Sequence, residues 1–581
     1  MVQLLLDQTT TEGRRGIVLC LVLLLGGIVM TGCTHSSSSP SAEEDAPVSF
    51  TDVTEQANLD DFQHRTGAFG EKWFPETMGS GGGFIDYNGD GRLDILLVGG
   101  GVWPKSEVDL EHALWLYRND GNGSFTLVSD EAGLGAVDAY GFGVTVADYN
   151  NDGHSDFLLT TLNRNLLFRN EGDGTFTEVG KEAGLTAPPE WSSSAAFFDA
   201  DNDGHLDLYV GNYVQWSREN DLFCSVDGKT KAYCTPEEYE GAIGRFYHND
   251  GDGTFTEWTE RAGFQSSPGK TLGVTMLDYN RDGWMDLYVA NDMERNLLYE
   301  NNGDGTFTER GRVSGTAYSQ SGQVRAGMGT DAGIVDSTGR STIFVGNFSR
   351  EKISVFRHQR DGLFRDRSAR SGVGRPGKFT LGFGLFLFDA ELNGTLDLFV
   401  ANGHVQPDIE SIDRAVHYKQ RPHLFLNNGK GRFEEMMVDR GPLADSLVAR
   451  GAAYGDYDKD GDLDILVTEN EGEVHLWQNR VRDQENGPNY LRVQLQGTES
   501  NRDGIGARVR IAYGEEQQER VLRTGSSYLS SIELALTFGL GGQSQVEQVT
   551  VHWPSGEVDR ISAVQANQTL RIVEGEGRAA V

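Results

Sequence analysis

The chain has 581 residues, 87 acidic and 50 basic side chains, a net charge of −37 and only 4 cysteines. That length suits one large β-rich domain with a smaller companion. The charge repels nucleic acid and anionic membrane surfaces, and six bound divalent cations would bring it only to −37 + 12 = −25, so nucleic-acid binding is excluded.

In chain order the first element, residues 1–32, reads as a lipoprotein signal peptide. Arg14 and Arg15 precede an apolar run from Ile17 to Met30, and Thr31-Gly32-Cys33 resembles a lipobox in which Cys33 takes the lipid. An ordinary secretory signal is the alternative; a transmembrane anchor fits less well because the run is short for a bilayer. Residues 33–48, with Ser36 to Ser39 and acidic side chains after them, read as a flexible tether. The expected location is the cell envelope, lipid-anchored at the outer membrane on its periplasmic side or at the cell surface, or otherwise secreted. Membrane contact is expected only through the anchor.

Residues 49–482 carry a nine-residue acidic loop again and again, each copy leading into a β-rich apolar run such as Met285-Asp-Leu-Tyr-Val-Ala290. Oxygen ligands stand at positions 1, 3, 5 and 9, with a glycine at position 6 for the sharp turn. The five complete sets are Asp86, Asn88, Asp90 and Asp94; Asp148, Asn150, Asp152 and Asp156; Asp199, Asp201, Asp203 and Asp207; Asp278, Asn280, Asp282 and Asp286; and Asp456, Asp458, Asp460 and Asp464. Hard oxygen donors packed this closely point to Ca2+, because carboxylates so near one another repel without a cation. A helix-flanked EF-hand is rejected, since position 12 is Leu97, Leu159, Val210, Val289 or Val467 rather than a bidentate acid.

Two weaker copies follow the same pattern. Asp389, Glu391, Asn393 and Asp397 keep an oxygen ligand at each position, whereas the copy from Ile334 to Thr342 keeps its glycine and loses the carboxylates at positions 1, 5 and 9. Five to six calcium ions are therefore expected. Each loop lies between the first two of four short strands, which describes one propeller blade, and the loop glycines at 91, 153, 204, 283, 339, 394 and 461 count seven. The fold class is accordingly all-β: a seven-bladed β-propeller followed by a small all-β domain. Ser49 to Val53 resembles an outer strand without a blade, and the last unit lacks one, so the two ends are expected to pair.

Two connections between second and third strands are long, Asn212 to Arg245 and Asn402 to His423. They should share the face opposite the calcium loops, where Trp103, Tyr213, Trp216 and His404 are candidate ligand contacts. The asparagines after the second strands (Asn212, Asn291, Asn347, Asn402, Asn470) are better explained as caps on the adjacent turn. Cys224 and Cys234 are expected to form a disulfide, favoured by export over free thiols or a zinc site.

A polar stretch from Asp483 to Asn489 marks a boundary, and residues 483–581 read as a small all-β domain with alternating strands. These features together resemble bacterial FG-GAP/VCBS-repeat proteins of the ASPIC/UnbV class, a family related to cartilage acidic protein. The seven units, the Asn-Asp-Gly-Asp-Gly-Thr-Phe turn at Asn249 to Phe255 and its neighbours carry the first part of that resemblance. Asn501 to Arg508, Gly525 to Ser530, Phe538 to Gly541 and Trp553 to Gly556 carry the second.

No catalytic constellation emerges: there is no nucleophile elbow, His-Glu-x-x-His helix or phosphate-cradling loop in a suitable context. The acidic pairs belong to calcium cages, where a cation keeps them ionised. The expected function is a binding or adhesion module for a polysaccharide or protein partner. The alternatives are an enzyme acting on a polymer at the long-loop face and an envelope scaffold working through the tail.

Overall fold

The computed structural model describes residues 47–578 apart from 105, 107–110, 226, 361 and 485. The targeting segment, Cys33 and all but the last residues of the tether lie outside the described residues. From Asp45 to Val581 the chain forms one compact unit.

Seven four-stranded antiparallel units follow one another, with first strands at Gly82–Ile85, Gly141–Ala147, Glu190–Phe198, Thr271–Leu277, Gly327–Ile334, Gly382–Phe388 and Ala449–Gly455. In unit 4 Thr275 faces Tyr288, Tyr288 faces Leu298, and Tyr299 faces Glu309. Its second strand, Asp286–Asn291, is buried along its whole length. Both faces of that strand meet a neighbouring unit, so it needs no polar alternation. The first strand of each unit packs on the first strand of the next, and the seventh packs back on the first. Seven apolar clusters fill the seven gaps. Phe386 and Phe399 meet Ile465 and Trp477 between units 6 and 7, while Leu466 and Leu476 meet Phe84 and Ile95 where the ring closes.

The strand Phe50–Asp52 completes the seventh unit by pairing with Val474–Asn479, Phe50 opposite Asn479. His475 pins this closure between Asp52 at 3.4 Å and Glu469 at 3.1 Å.

The C-terminal domain has two four-stranded sheets around its own core of Val493, Ile511, Phe538, Val551, Trp553 and Ile572. It is not an appendage on a polar linker. Residues 524–532 leave it and run into the centre of the ring, where Ser527 exchanges backbone hydrogen bonds with Thr330, Leu529 O accepts from Val144 N–H and Ser531 O accepts from Phe84 N–H. The Ser527 hydroxyl donates to Ala452 O and accepts from Leu385 N–H, and the Thr524 hydroxyl donates to Phe197 O. Six of the seven units are thus hydrogen-bonded to one nine-residue plug. Close approach of two backbones explains the glycine-rich first strands: a Cβ on Gly81 would lie 1.8 Å from Leu529 O, and one on Gly83 2.5 Å from Ser531 O.

At the far end the plug's Tyr528 and Leu529 join Phe74, Trp191, Tyr213 and Trp216 in one buried aromatic cluster beneath the long connections. The disulfide Cys224–Cys234 forms within the first of these connections. Arg450, fully buried, donates to the carbonyls of Thr77, Gly403 and His404 and lies 4.3 Å from the Phe383 ring centre. Three of the four carbonyls it ties down, all but that of its strand neighbour Ala449, come from segments that seal this end.

Candidate metal centre

Each acidic loop builds its cage from its own backbone. In the first, the two Asp86 carboxylate oxygens accept from the N–H groups of Asp90 (3.1 Å) and Gly91 (2.8 Å); Asn88 Oδ1 accepts from Asp90 N–H and Asp90 Oδ1 from Arg92 N–H. The same bonds from position 1 recur at Asp148, Asp199, Asp278 and Asp389. Position 9 closes the loop from below: Asp94 accepts from Tyr87 N–H (3.2 Å) and Asn119 N–H (2.7 Å). Position 4 is left-handed in all six acidic loops, at Gly89, Asn151, Asn202, Arg281, Leu392 and Lys459. Gly89, Asn151 and Asn202 suit that conformation, whereas Arg281, Leu392 and Lys459 give no sign of it, and a leucine there is strained.

The carboxylates converge most tightly on two loops. Asp199, Asp201 and Asp207 each place one oxygen within 4.8 Å of the others, and so do Asp456, Asp458 and Asp460. Among the described residues the remaining loops hold no such triple, partly because Asn88, Asn150 and Asn280 supply amide oxygens at position 3. Burial, reinforced by like charge, pushes Asp94 up to about 7, Asp199 to about 8 and Asp156 to about 9. Asp286, Asp397 and Asp464 are pushed well above the carboxylate range for the same reason. Acids held in this way can hold a divalent cation, which would restore the charged form.

The loop of unit 5 is neutralised from within the protein. Arg357 reaches Asp336, the acid left at position 3, and forms an ion pair with it. Register explains how: Thr342 at position 9 faces Arg357, and in unit 3 the equivalent residue beside Asp207 is His248. His248 Nδ1 lies 2.9 Å from Asp207 and 3.9 Å from Asp201, its ring stacked on Trp258. Asp201, Asp203 and His248 form a further group able to hold a metal. Sequence reading missed both residues, because they come from the third strand rather than from the loop.

A second missed set joins neighbouring units. Asn119, Asn170, Asn249, Asn301, Asn427 and Asn479 end their third strands, and each donates its amide to the position 2 carbonyl of the preceding unit's loop, as Asn301 does to Ala200 O at 2.7 Å. The loops of six units, all but the fourth, are thus braced by a neighbour. The turn repeats such as Asn249 to Phe255 carried this signal, since their first asparagine recurs. The C-terminal domain braces three loops further. Asp503 accepts from Asp148 N–H at 2.8 Å, Gly539 N–H donates to Asp389 at 3.1 Å, and buried Arg492 joins Asp456 (3.1 Å) to Glu533 (2.9 Å).

The residues expected on an open ligand face are corrected by the fold. Trp103, Tyr213, Trp216 and His404 are only 5, 1, 7 and 1% exposed. Their rings found apolar partners when the long connections folded down onto the ring end, so they are packed as core, and of the four only Trp103 and Trp216 keep an edge at the surface. Tyr213 donates to Asp292 (2.6 Å) and Trp216 to Asp221 (3.0 Å). Burial and the nearby Arg450 hold the His404 imidazole down at about 4. The asparagines after the second strands do cap: Asn212, Asn291, Asn347 and Asn402 donate to Ile243, Arg295, Lys352 and Arg421 carbonyls across their own connections, while Asn470 donates to the Glu76 carbonyl.

Residues 86–159, 148–210, 220–289, 278–327 and 402–467 match the FG-GAP-like repeat, and residues 497–579 match ASPIC and UnbV. Neither is a known catalytic family. Cartilage acidic protein 1 of Homo sapiens is 23% identical over 505 residues, 84% of this chain and 62% of that protein. Its Mus musculus counterpart is 29% identical over 180 residues, 29% of this chain and 27% of that protein. The chain thus spans less than two thirds of the length of these relatives. Among solved structures, an Agrocybe aegerita lectin specific for non-reducing terminal N-acetylglucosamine is 18% identical, with a TM-score of 0.36 over 60% of this chain and 77% of that one. The exotype rhamnogalacturonan lyase YesX is 13% identical, with a TM-score of 0.30 over 81% and 75%. Superpositions this loose carry no argument about what is bound.

Proposed function

The chain belongs to the FG-GAP-like repeat family and carries an ASPIC and UnbV domain, and from that premise we propose that it is a calcium-stabilised, lipid-anchored binding or adhesion protein of the cell envelope. We read the seven units as propeller blades and assign calcium to the loops at Asp86, Asp148, Asp199, Asp278 and Asp456, with a sixth ion at Asp389. All-oxygen donor sets favour that ion. The anchor is Cys33, and the partner is a polysaccharide or a protein.

The plug and the aromatic cluster close the channel of the ring, so the partner binds at the rim rather than through the centre. The observation that carries the binding reading is a groove of about 490 Å3 at the long-connection end. Edges of Trp103, Tyr140 and Trp216 line it beside Asn163, Arg164 and Arg218. Asn163 holds a left-handed backbone, φ 99°, strain of the kind found at binding sites. The same end exposes Leu222 and Phe223 at 40 and 64%, apolar surface suited to a partner. Aromatic edges with amide and guanidinium donors suit sugar hydroxyls or a peptide backbone.

A glycan array and an envelope-protein pull-down, each run with the soluble chain in calcium and in chelator, test the reading. Binding that falls at least tenfold in Arg164→Ala and Arg218→Ala supports it. Binding untouched by both substitutions removes the groove from the proposal.

A further inference from the structure

A cavity of about 60 Å3 lies between the ring and the C-terminal domain. Its charged lining is Asp278 and Arg281 from unit 4 with Arg508, Glu519, Arg520 and Arg523 from the domain; the rest is largely apolar. Four guanidinium groups thus meet two carboxylates.

Glu519 balances only part of that charge, and Asp278 little of it. Glu519 is already shared by Arg510 at 2.7 Å, Arg281 at 3.3 Å and, more distantly, Arg508 at 4.0 Å. Asp278 is turned into its loop, where it accepts from the Asp282 and Gly283 N–H groups. Arg523 pairs with Asp331 through one terminal nitrogen, and Arg520 reaches only neutral oxygens, those of Gly394, Gln518 and Glu519 O. The Nε atoms of Arg508, Arg520 and Arg523 are all buried without a hydrogen-bond partner. Six arginines share that condition among the described residues, and three of those side chains line this one cavity. A buried N–H without an acceptor is costly, the more so on a cation. The space suffices for a small ion, and water alone would satisfy the donors without offsetting their charge.

We propose that this cavity is an anion site, in which one small inorganic anion, a halide or a compact oxyanion, accepts from Arg508, Arg520 and Arg523 and ties the C-terminal domain to the ring. The inference leans on the calcium reading at one point: ions bound at Asp278 and Asp389 would engage the carboxylates that otherwise act electrostatically on Arg508 and Arg520. Anion occupancy then belongs to the calcium-loaded, docked form.

Crystals of the full chain grown with calcium and soaked separately in bromide and in selenate test this directly by anomalous scattering. A peak in the cavity, within hydrogen-bonding distance of at least two of the three Nε atoms, is the expected result. Bromide alone assigns the site to halides and selenate alone to oxyanions. Peaks confined to other positions, or water alone in the cavity, overturn it. In solution, the unfolding temperature in calcium should be a few degrees higher in chloride than in gluconate at equal ionic strength, gluconate being too large to enter. That difference should vanish in Arg508→Gln, the least buried of the three and so the variant best placed to fold; its persistence there also overturns the site. Calcium stoichiometry measured on the same samples separates the two readings: an anion peak without calcium uptake sinks only the calcium assignment.

Discussion

The acidic loops of units 4 and 5 occupy the same place in adjacent units, yet they solve one electrostatic problem differently. Unit 4 gathers Asp278, Asp282 and Asp286, of which Asp286 is fully buried, and on the calcium reading proposed above a cation from solution answers their charge. Unit 5 has shed all but Asp336 and neutralises it with Arg357 from the third strand. On that reading, each rim position needs a positive charge to hold the turn, and a metal and a guanidinium are interchangeable answers. They differ in consequence: the metal can be withdrawn and the guanidinium cannot.

The largest test of that contrast is chelation. If six loops depend on calcium, removing it should lower the unfolding temperature of the ring by roughly 10 °C or more, since each site saturated a hundredfold contributes about 2.7 kcal/mol. An unmoved melting curve breaks the comparison outright. Next in size is Arg357→Met, which leaves buried Asp336 without its partner and should cost about 3 kcal/mol by chemical denaturation. The loss should be equal in calcium and in chelator, and Asp336→Asn in the same chain should restore much of it. A calcium-dependent loss would show that unit 5 binds metal after all.

A third cation, an imidazolium, closes the ring, and it predicts a pH signature. Burial alone would lower the His475 pKa, but its bonds to Asp52 and Glu469 outweigh that and raise it to about 9. Burial would raise Asp52, yet its bonds to His475 and Thr54 hold it at about 2. A raised histidine contributes fully below its ordinary pKa of about 6.5 and loses that contribution as pH climbs through about 9. The acid contributes above about 4 and fails only below. In saturating calcium, which keeps the loop acids ionised throughout, stability should therefore decline by a few degrees between pH 6.5 and 9, and His475→Gln should flatten that limb; a slope unchanged in the variant excludes this pair as its source. The smallest expected effect is His248→Arg, which places in unit 3 the cation that serves unit 5. Equilibrium dialysis should find one calcium fewer per chain with little change in melting temperature, and an undiminished stoichiometry would contradict the shared geometry.

Legibility in the sequence followed the range of the interactions. The acidic loops, their glycines and the pairing of the chain ends were readable, because loop ligands are spaced two, four or five residues from the N–H groups that orient them. The left-handed position 4 was only half legible, since Gly89, Asn151 and Asn202 suit it but Arg281, Leu392 and Lys459 carry no sign of it. Trp216 and Tyr213 were misread because a long connection rich in aromatics looks the same whether it stands away from the ring or folds against it. Only Phe74, Trp191 and the plug's Tyr528 decide between those states.

By itself the sequence determined the repeat, the strand order within each unit and the chemistry of the loops, all of which depend on residues close together in the chain. Tertiary structure alone decided that the C-terminal domain threads the ring, that a guanidinium fills the fifth loop and that the far end is sealed. Those outcomes join Phe84 to Ser531 and Arg450 to Thr77, residues hundreds of positions apart. Such contacts exist only once the ring has closed, so no local pattern can encode them.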